Sequence, residues 1–266
     1  GVSHCARPLV IFQRAYVWTK PNWEDMLADL LEFEKSHFLG SLILKQQPPK
    51  TGEQKEVLVI DGQQRLTTLS ILLKAIYDSF PEGLKTDCRN ELLKYLFYKR
   101  YATDKTYQIK IVHSRIDAVH FRKVVGEVDH DMLNSLSKDE LENIDENSSK
   151  VLQCYKYFRI QLESLSEEIR TQLFNRLLDK ENKIIVLIDL SIKDDEQSIF
   201  DTINSAGVRL SGTDIVKNAL FQKAIDILGI DKAVNLYDSY WDSVFSGDED
   251  AQSFWTSRKA TGRPTS

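Results

Sequence analysis

Cysteine is scarce: Cys5, Cys88 and Cys154 are the three in a chain of 266 residues. They are far apart, odd in number and free of any Cys-x-x-Cys pair, which argues against a disulfide framework and against a cysteine-held zinc. No apolar run approaches the roughly 18 residues that cross a bilayer. The first ten residues, GVSHCARPLV, lack the apolar centre of a signal peptide. These absences predict a cytoplasmic protein with no membrane partner. Positive charge is not in excess either, since 35 Lys and Arg face 40 Asp and Glu for a net charge of −5. That excludes a chain coated in basic residues for indiscriminate nucleic-acid binding.

What remains is an ordinary globular composition, 42% hydrophobic and 28% charged. Charge is nevertheless unevenly spread. Between Lys94 and Lys123 eight Lys or Arg meet two acids, with Tyr95, Phe97, Tyr98, Tyr101 and Tyr107 interleaved. From Glu127 to Glu146 the balance reverses, eight acids against Lys138. Lys99, Arg100 and Lys105 are the candidate DNA contacts in the first run. The competing reading of that run is a solvated helix face whose aromatics pack inward.

The length sets no firm domain count; one continuous body with an inserted helical part is expected, α+β in class. Leu9 to Phe12 reads as a buried strand, and EDMLADLLEFEK as a helix with Asn22 at its N-cap. HFLGSLILK and EVLVI read as further strands, and a helix from Gly62 carries Leu66, Leu69, Leu72, Leu73, Ile76 and Phe80 on one face until Pro81. The middle is mainly helical, broken by the strand-like YQIKIV before a Ser114/Asp117 capping box. NSLSKDELENIDENSS is a polar connector, and KIIVLIDLSI, a short continuous apolar run, reads as a fully buried strand. Two helices follow, joined at Gly207 to Thr213, with Gly207 as a left-handed C-cap and Ser211 or Thr213 as the next N-cap. The expected organisation is residues 1–85 as an α/β core, 86–182 as a mainly helical insertion, 183–250 as a returning strand with C-terminal helices, and 251–266 as a linker.

One corner stands out, VIDGQQRLTT from Val59 to Thr68. Here a β-branched run passes through Asp-Gly into a helix whose first turn holds two glutamines and an arginine. Glycine allows a left-handed turn, and the first helical turn leaves N–H groups free to face an anion. Such a corner can hold phosphate: Arg65 can grip its oxygens, Gln63 or Gln64 can orient a water or a base edge, and Asp61 can carry a metal or a water. The bland alternative is a capped helix with a solvated polar first turn, Asp61 serving the turn alone.

Three segments in order, FQRAYVW at 12–18, VIDGQQRLTTL at 59–69 and IFDTINSAGVRLSGTDIVKNALF at 199–221, resemble the DGQQR-box family. These are the N-terminal domains of GmrSD-type modification-dependent restriction enzymes and related phage-defence proteins. The resemblance implies a fold similar to ParB and sulfiredoxin, a small mixed sheet with a large helical insertion, and a box lying where those relatives hold nucleotide phosphates. It also implies a nucleotide-binding, NTP-hydrolysing sensor domain, coupled to an HNH-type nuclease, C-terminal or separate, that cuts modified or foreign DNA. Two features depart from the pattern. None of the five histidines sits in a His-Asn-His arrangement, so a fragment, or a subunit whose cutter lies elsewhere, is expected; and Ala15 stands where a proline is familiar.

On that resemblance, Asp61, Gln63, Gln64 and Arg65 are the expected catalytic residues: backbone amides of Gly62 to Gln64 take phosphate oxygens, Arg65 offsets transition-state charge, and a glutamine orients the attacking water. Mg²⁺ is expected as cofactor with GTP or ATP as substrate, Asp61 and Asp214 being its candidate ligands. Gln13 and Arg14 either face nucleotide or DNA, or Arg14 pairs with an acid while Tyr16 and Trp18 are core. Asn204 is expected at base or ribose and Lys217 with Asn218 at phosphate, although Asp214 and Lys217 also make an ordinary first-turn pair. The third segment is expected to meet the box across one pocket, with KIIVLIDL parallel to EVLVI in one sheet. His113 and His120 lie on either side of the break at Ser114, which argues against a metal pair. Two other functions compete with the NTPase: a nuclease acting directly through this fold, with the box on DNA phosphate, and a non-catalytic DNA- or partner-binding scaffold. A homo-oligomer is compatible with each.

Overall fold

The computed structural model describes residues 9–10, 15–34, 38–48, 56–99, 103–104, 106–113, 115–129, 132–179, 182, 184–191 and isolated positions between 223 and 240. In chain order its first half runs β1 (Leu9–Val10), α1 (Lys20–Leu31), β2 (Ser41–Gln46), β3 (Val57–Asp61), α2 (Gln63–Asp78), α3 (Glu82–Leu96), β4 (Phe97–Tyr98), β5 (Gln108–Ile109) and β6 (Ile111–Val112). Then come α4 (Arg115–Val125), β7 (Val128–Asp129), β8 (Met132–Leu133), α5 (Lys138–Glu142), α6 (Lys150–Glu163), α7 (Glu167–Leu178) and β9 (Val186–Leu190). The class is α+β, as expected. The chain divides into two compact units, Gly1–Lys193 and Asp194–Ser266. In the second, Lys223, Ala224, Ile227 and Leu228 are helical.

Val57 to Ile60 have no polar side chain to offer water, so the strand they form must be covered on both faces. All four are buried in β3, the middle strand of a mixed sheet ordered β6-β1-β3-β2-β9. β1 and β6 run parallel to β3, whereas β2 is antiparallel to it. Helix α2, packed against α3, α4, α6 and α7, is buried nearly all round, rather than on the single face its leucines predict. Its small hydroxyl residues make this possible, because Thr68 Oγ1 donates to the Gln64 carbonyl at 2.8 Å and Ser70 Oγ to Leu66 at 2.9 Å. These two buried hydroxyls are thereby satisfied within the helix.

One charged pair is enclosed as well. Lys74 Nζ donates to both carboxylate oxygens of Asp78 at 2.6 and 2.5 Å, one turn along α2. Asp78 also accepts from Ser135 Oγ at 2.5 Å and from Tyr155 Oη at 2.6 Å, so the pair reaches the polar connector and α6. Burial lowers the Lys74 pKa, and Asp78 opposes the shift.

Three expectations are corrected. Helix α1 is capped by Thr19 and not by Asn22, which sits at the third helical position and accepts from the Thr19 N–H at 3.1 Å. Pro21 next to the start favours the earlier cap, since its missing N–H costs nothing in a first turn. Strand β9 shares the sheet with β3 but runs parallel to β2, and therefore antiparallel to β3. It is also not fully buried: as the outer strand among the described residues it leaves Val186 47% and Leu187 37% exposed. A short apolar run is the same in sequence whether its strand is central or outer, and it carries no direction.

Candidate functional site

Parallel strands end at the same side of a sheet, and whatever follows them is gathered there. β6, β1 and β3 are mutually parallel, so their carboxyl ends deliver three turns to one edge. From β3 comes the DGQQR box; from β1, the segment leading to residues 15–18; from β6, His113 and the start of α4. β2 enters the sheet at this edge in the opposite sense, bringing Gly40 and Ser41.

The turn into α2 depends on Gly62, whose φ of 86° is left-handed. A Cβ there would lie 2.4 Å from Leu42 Cδ2 and 2.8 Å from the Ser41 carbonyl oxygen. Just before it the β2–β3 pairing jumps from Leu44 opposite Val59 to Ile43 opposite Asp61, one residue of β3 passing between. Irregularities of this kind re-aim a side chain at a strand end, here that of Asp61. Helix α2 then starts without a side-chain cap. Its first-turn N–H groups point out of the sheet edge with the positive end of the helix dipole behind them.

The box side chains are tied into their surroundings. Gln63 is buried and donates through Nε2 to the Val59 carbonyl at 2.9 Å, closing the turn on itself. Gln64 uses both ends of its amide: Oε1 accepts from the N–H groups of Val17 at 2.8 Å and Trp18 at 3.3 Å, and Nε2 donates to the Ala15 carbonyl at 3.0 Å. It therefore clamps the backbone directly following Gln13 and Arg14. Arg65 lies half-buried over Gly40, where a Cβ would come within 2.7 Å of its Cζ, and donates from a terminal nitrogen to the Ser41 carbonyl at 2.8 Å. Burial lowers the guanidinium's pKa, and the neighbouring Asp61 carboxylate opposes this.

Tyr16 meets the aromatic half of one reading, whereas Gln13 and Arg14, on which the alternatives turn, lie outside the described residues. Tyr16 is core, with 4% exposure; its hydroxyl lies 2.6 Å from Thr68 Oγ1 and accepts from Trp23 Nε1 at 2.8 Å. Burial raises its pKa well above the ordinary value. Trp18 packs against the core from a half-buried position. From the β6 side, His113 is buried with Nε2 3.4 Å from Thr67 Oγ1 and its ring 4.3 Å from Phe121. Burial pulls its pKa down to about 3, so the imidazole is neutral at pH 7. Asp117, read in the sequence as half of a capping box with Ser114, accepts the Tyr16 backbone N–H at 2.6 Å.

Gln13, Arg14, Asn204, Asp214, Lys217 and Asn218 lie outside the described residues, as do Arg100, Lys105, Ser114, Gly207, Ser211 and Thr213. Lys99 sits at the end of β4, in the connection to antiparallel β5, with its ammonium 4.6 Å from the Tyr107 ring centre. Elsewhere in the basic run Lys94 pairs with Glu91 at 2.5 Å, Lys123 with Glu140 at 3.0 Å, and Lys110 is buried. Phe97 is buried, while Tyr95 and Tyr107 pack on the core. Over these residues the inward-packing reading of the aromatics holds. Among the described residues no group of three or more His, Cys, Asp or Glu is arranged to hold a metal. None of the helices among them is long and apolar enough to cross a membrane.

The sequence reading missed Gly40, Thr67 and the role of Asp117. Gly40 was open to recognition, since a lone glycine before an apolar run marks a close approach. Nothing local points to Asp117, whose partner is 101 residues away.

Residues 9–221 match the family described as the GmrSD restriction endonuclease, N-terminal domain. The chain belongs to this family. The match takes in all three turns of the carboxyl edge and the sheet strands among the described residues. An uncharacterized protein of Methanocaldococcus jannaschii is 27% identical over 246 residues, covering 81% of this chain and 39% of that protein. The chain thus spans about two fifths of that relative's length.

Proposed function

We propose that this GmrSD-type domain binds a nucleoside triphosphate at the carboxyl edge of its sheet, hydrolyses it, and thereby regulates DNA restriction by an HNH-type nuclease. The observation carrying this reading is the junction of an uncapped helix start with the half-buried Arg65, at the edge where three parallel strands end. Backbone N–H groups of residues 62–64 would take phosphate oxygens, and Arg65 would offset charge gathering on them in phosphoryl transfer. A water-orienting role for Gln63 or Gln64 requires that amide to exchange a present partner. Gln63 would release the Val59 carbonyl, or Gln64 the loop at 15–18. Gln13 and Arg14, next in chain to the clamped Ala15, would approach the same ligand. A ParB- or sulfiredoxin-like ancestry for the sheet accords with the placement of the box at a strand-to-helix turn, and is part of the same proposal.

Mg²⁺ fits one way. Asp61 is a single carboxylate beside a guanidinium, and Mg²⁺ is commonly held by one or two carboxylates with phosphate oxygens completing its shell. The ion would arrive with the triphosphate, Asp61 holding it and Asp214 the second candidate, and would supply charge neutralisation. The experiment is phosphate release from ATP and from GTP with Mg²⁺, with and without modified DNA, by the purified protein. Turnover supports the reading. DNA degradation without nucleotide would indicate a nuclease acting through this fold, and DNA binding without either activity a scaffold.

A further inference from the structure

The segment at 15–18 is held at four backbone groups by two side chains. Gln64 takes the Ala15 carbonyl and the N–H groups of Val17 and Trp18. The fourth, the Tyr16 N–H, goes to Asp117 Oδ2 at 2.6 Å. Asp117 comes from the first turn of α4, an element outside all three family motifs quoted above, and is 4% exposed. Burying a carboxylate is costly unless strong hydrogen bonds answer it, so the arrangement is not neutral decoration. Burial raises its pKa, while the Tyr16 N–H and His120 oppose the shift. Four residues earlier in the chain, His113 touches Thr67 on α2. The β6–α4 turn therefore contacts both the segment and the box helix, closing a triangle whose third side is the Gln64 clamp. The Tyr16 side chain is separately anchored by Thr68 and Trp23, which fixes the ring but leaves the backbone direction of residues 15–17 to be set by Gln64 and Asp117.

We propose that Asp117 is a positioning residue for the nucleotide site, orienting the segment that follows Gln13-Arg14 against the box; this rests on the nucleotide reading above. It contacts no ligand itself. Its carboxylate sets the backbone direction of residues 15–17 beside Gln64 of the box, so its loss loosens ligand binding more than it loosens the fold.

The test measures the dissociation constants of ATP and GTP with Mg²⁺ for the whole chain and for Asp117→Ala, Asp117→Glu and Asp117→Asn, together with melting temperature and amide exchange at residues 15–18. Losing one backbone tie predicts about a tenfold rise in the dissociation constant for Asp117→Ala, with faster exchange at Tyr16. Asp117→Glu, which displaces the carboxylate by one methylene, rises in the same direction and serves if the alanine variant does not fold. Asp117→Asn keeps an acceptor for the Tyr16 N–H and restores binding to within about threefold of the parent. Tyr155→Phe, far from the edge, gives a matched loss of stability with binding unchanged. Unaltered affinity in a folded Asp117→Ala or Asp117→Glu, or a rise equal to that of Tyr155→Phe, would overturn the positioning role while leaving the nucleotide reading intact. A parent protein that binds neither nucleotide overturns both, and is recognised because it fails before any variant is compared.

Discussion

Arg65 answers two demands with one group: it bonds a backbone carbonyl and places positive charge at a helix start. The second opposes the helix dipole, so the residue costs the isolated helix a few tenths of a kcal/mol and helps only when an anion is near. Arg65→Ala is expected to abolish NTP turnover in a protein that still folds. The lost bond to Ser41 lowers stability by about 1–2 kcal/mol, partly offset by relief of the dipole. Phosphate release and melting temperature, measured together, check this; normal turnover in the folded variant rules out the site. His113 gives a pH prediction with a definite sign. Its folded pKa of about 3 lies below the ordinary 6.5, so the unfolded chain binds the extra proton first and stability falls as pH drops from about 6.5 towards 3. The loss by pH 5 is about 2 kcal/mol relative to neutral pH. His113→Gln should flatten that part of the acid melting curve; an identical slope would remove His113 as its source. Which residues belong to the corner was legible in the sequence, but what their side chains touch was not. Gln64 reads as a free amide on a first turn until its partners, 46 to 49 positions away, are known.

Among the elements, the turn into α2 and the basic hairpin region carry the expectations. Gly62→Ala puts a methyl against Leu42 and the Ser41 carbonyl at a left-handed φ, and should destabilise by more than about 1 kcal/mol. A melting curve coincident with the parent's would mean that the turn relaxes at no cost. In the β4–β5 connection, exchanging Lys99, Arg100 and Lys105 for Glu should weaken DNA binding and flatten its salt dependence, leaving basal hydrolysis unchanged. Binding unaltered across a salt series would move the DNA surface elsewhere, most directly to the QRAYVW segment. Helices and strands were largely legible because their apolar spacing is local. Thr19 and Asn22 mark where this stopped, since either side chain suits a cap and the choice was decided by backbone geometry.

At the scale of the molecule, strand order was the least legible feature. EVLVI and KIIVLIDL do share a sheet, but direction depends on which neighbour each strand finds, and β9 found β2. The unit Gly1–Lys193 contains the box and every strand of the sheet among the described residues, so a chain ending at Lys193 is expected to melt cooperatively by calorimetry. Weaker nucleotide binding by that shortened chain would assign ligand contacts to the segment at 199–221; equal binding would make the segment dispensable for affinity. The enclosed Lys74–Asp78 pair has a consequence for exchange of parts between relatives. Removing one member of such a buried pair costs about 3–5 kcal/mol, whereas replacing both with well-packed apolar residues is often tolerated. Because Asp78 also satisfies Ser135 and Tyr155, helix α2 cannot be grafted from a homologue by its box alone. The donor's residues at 74, 78, 135 and 155 must travel together, and a chimera that respects this set should express where one that splits it should not.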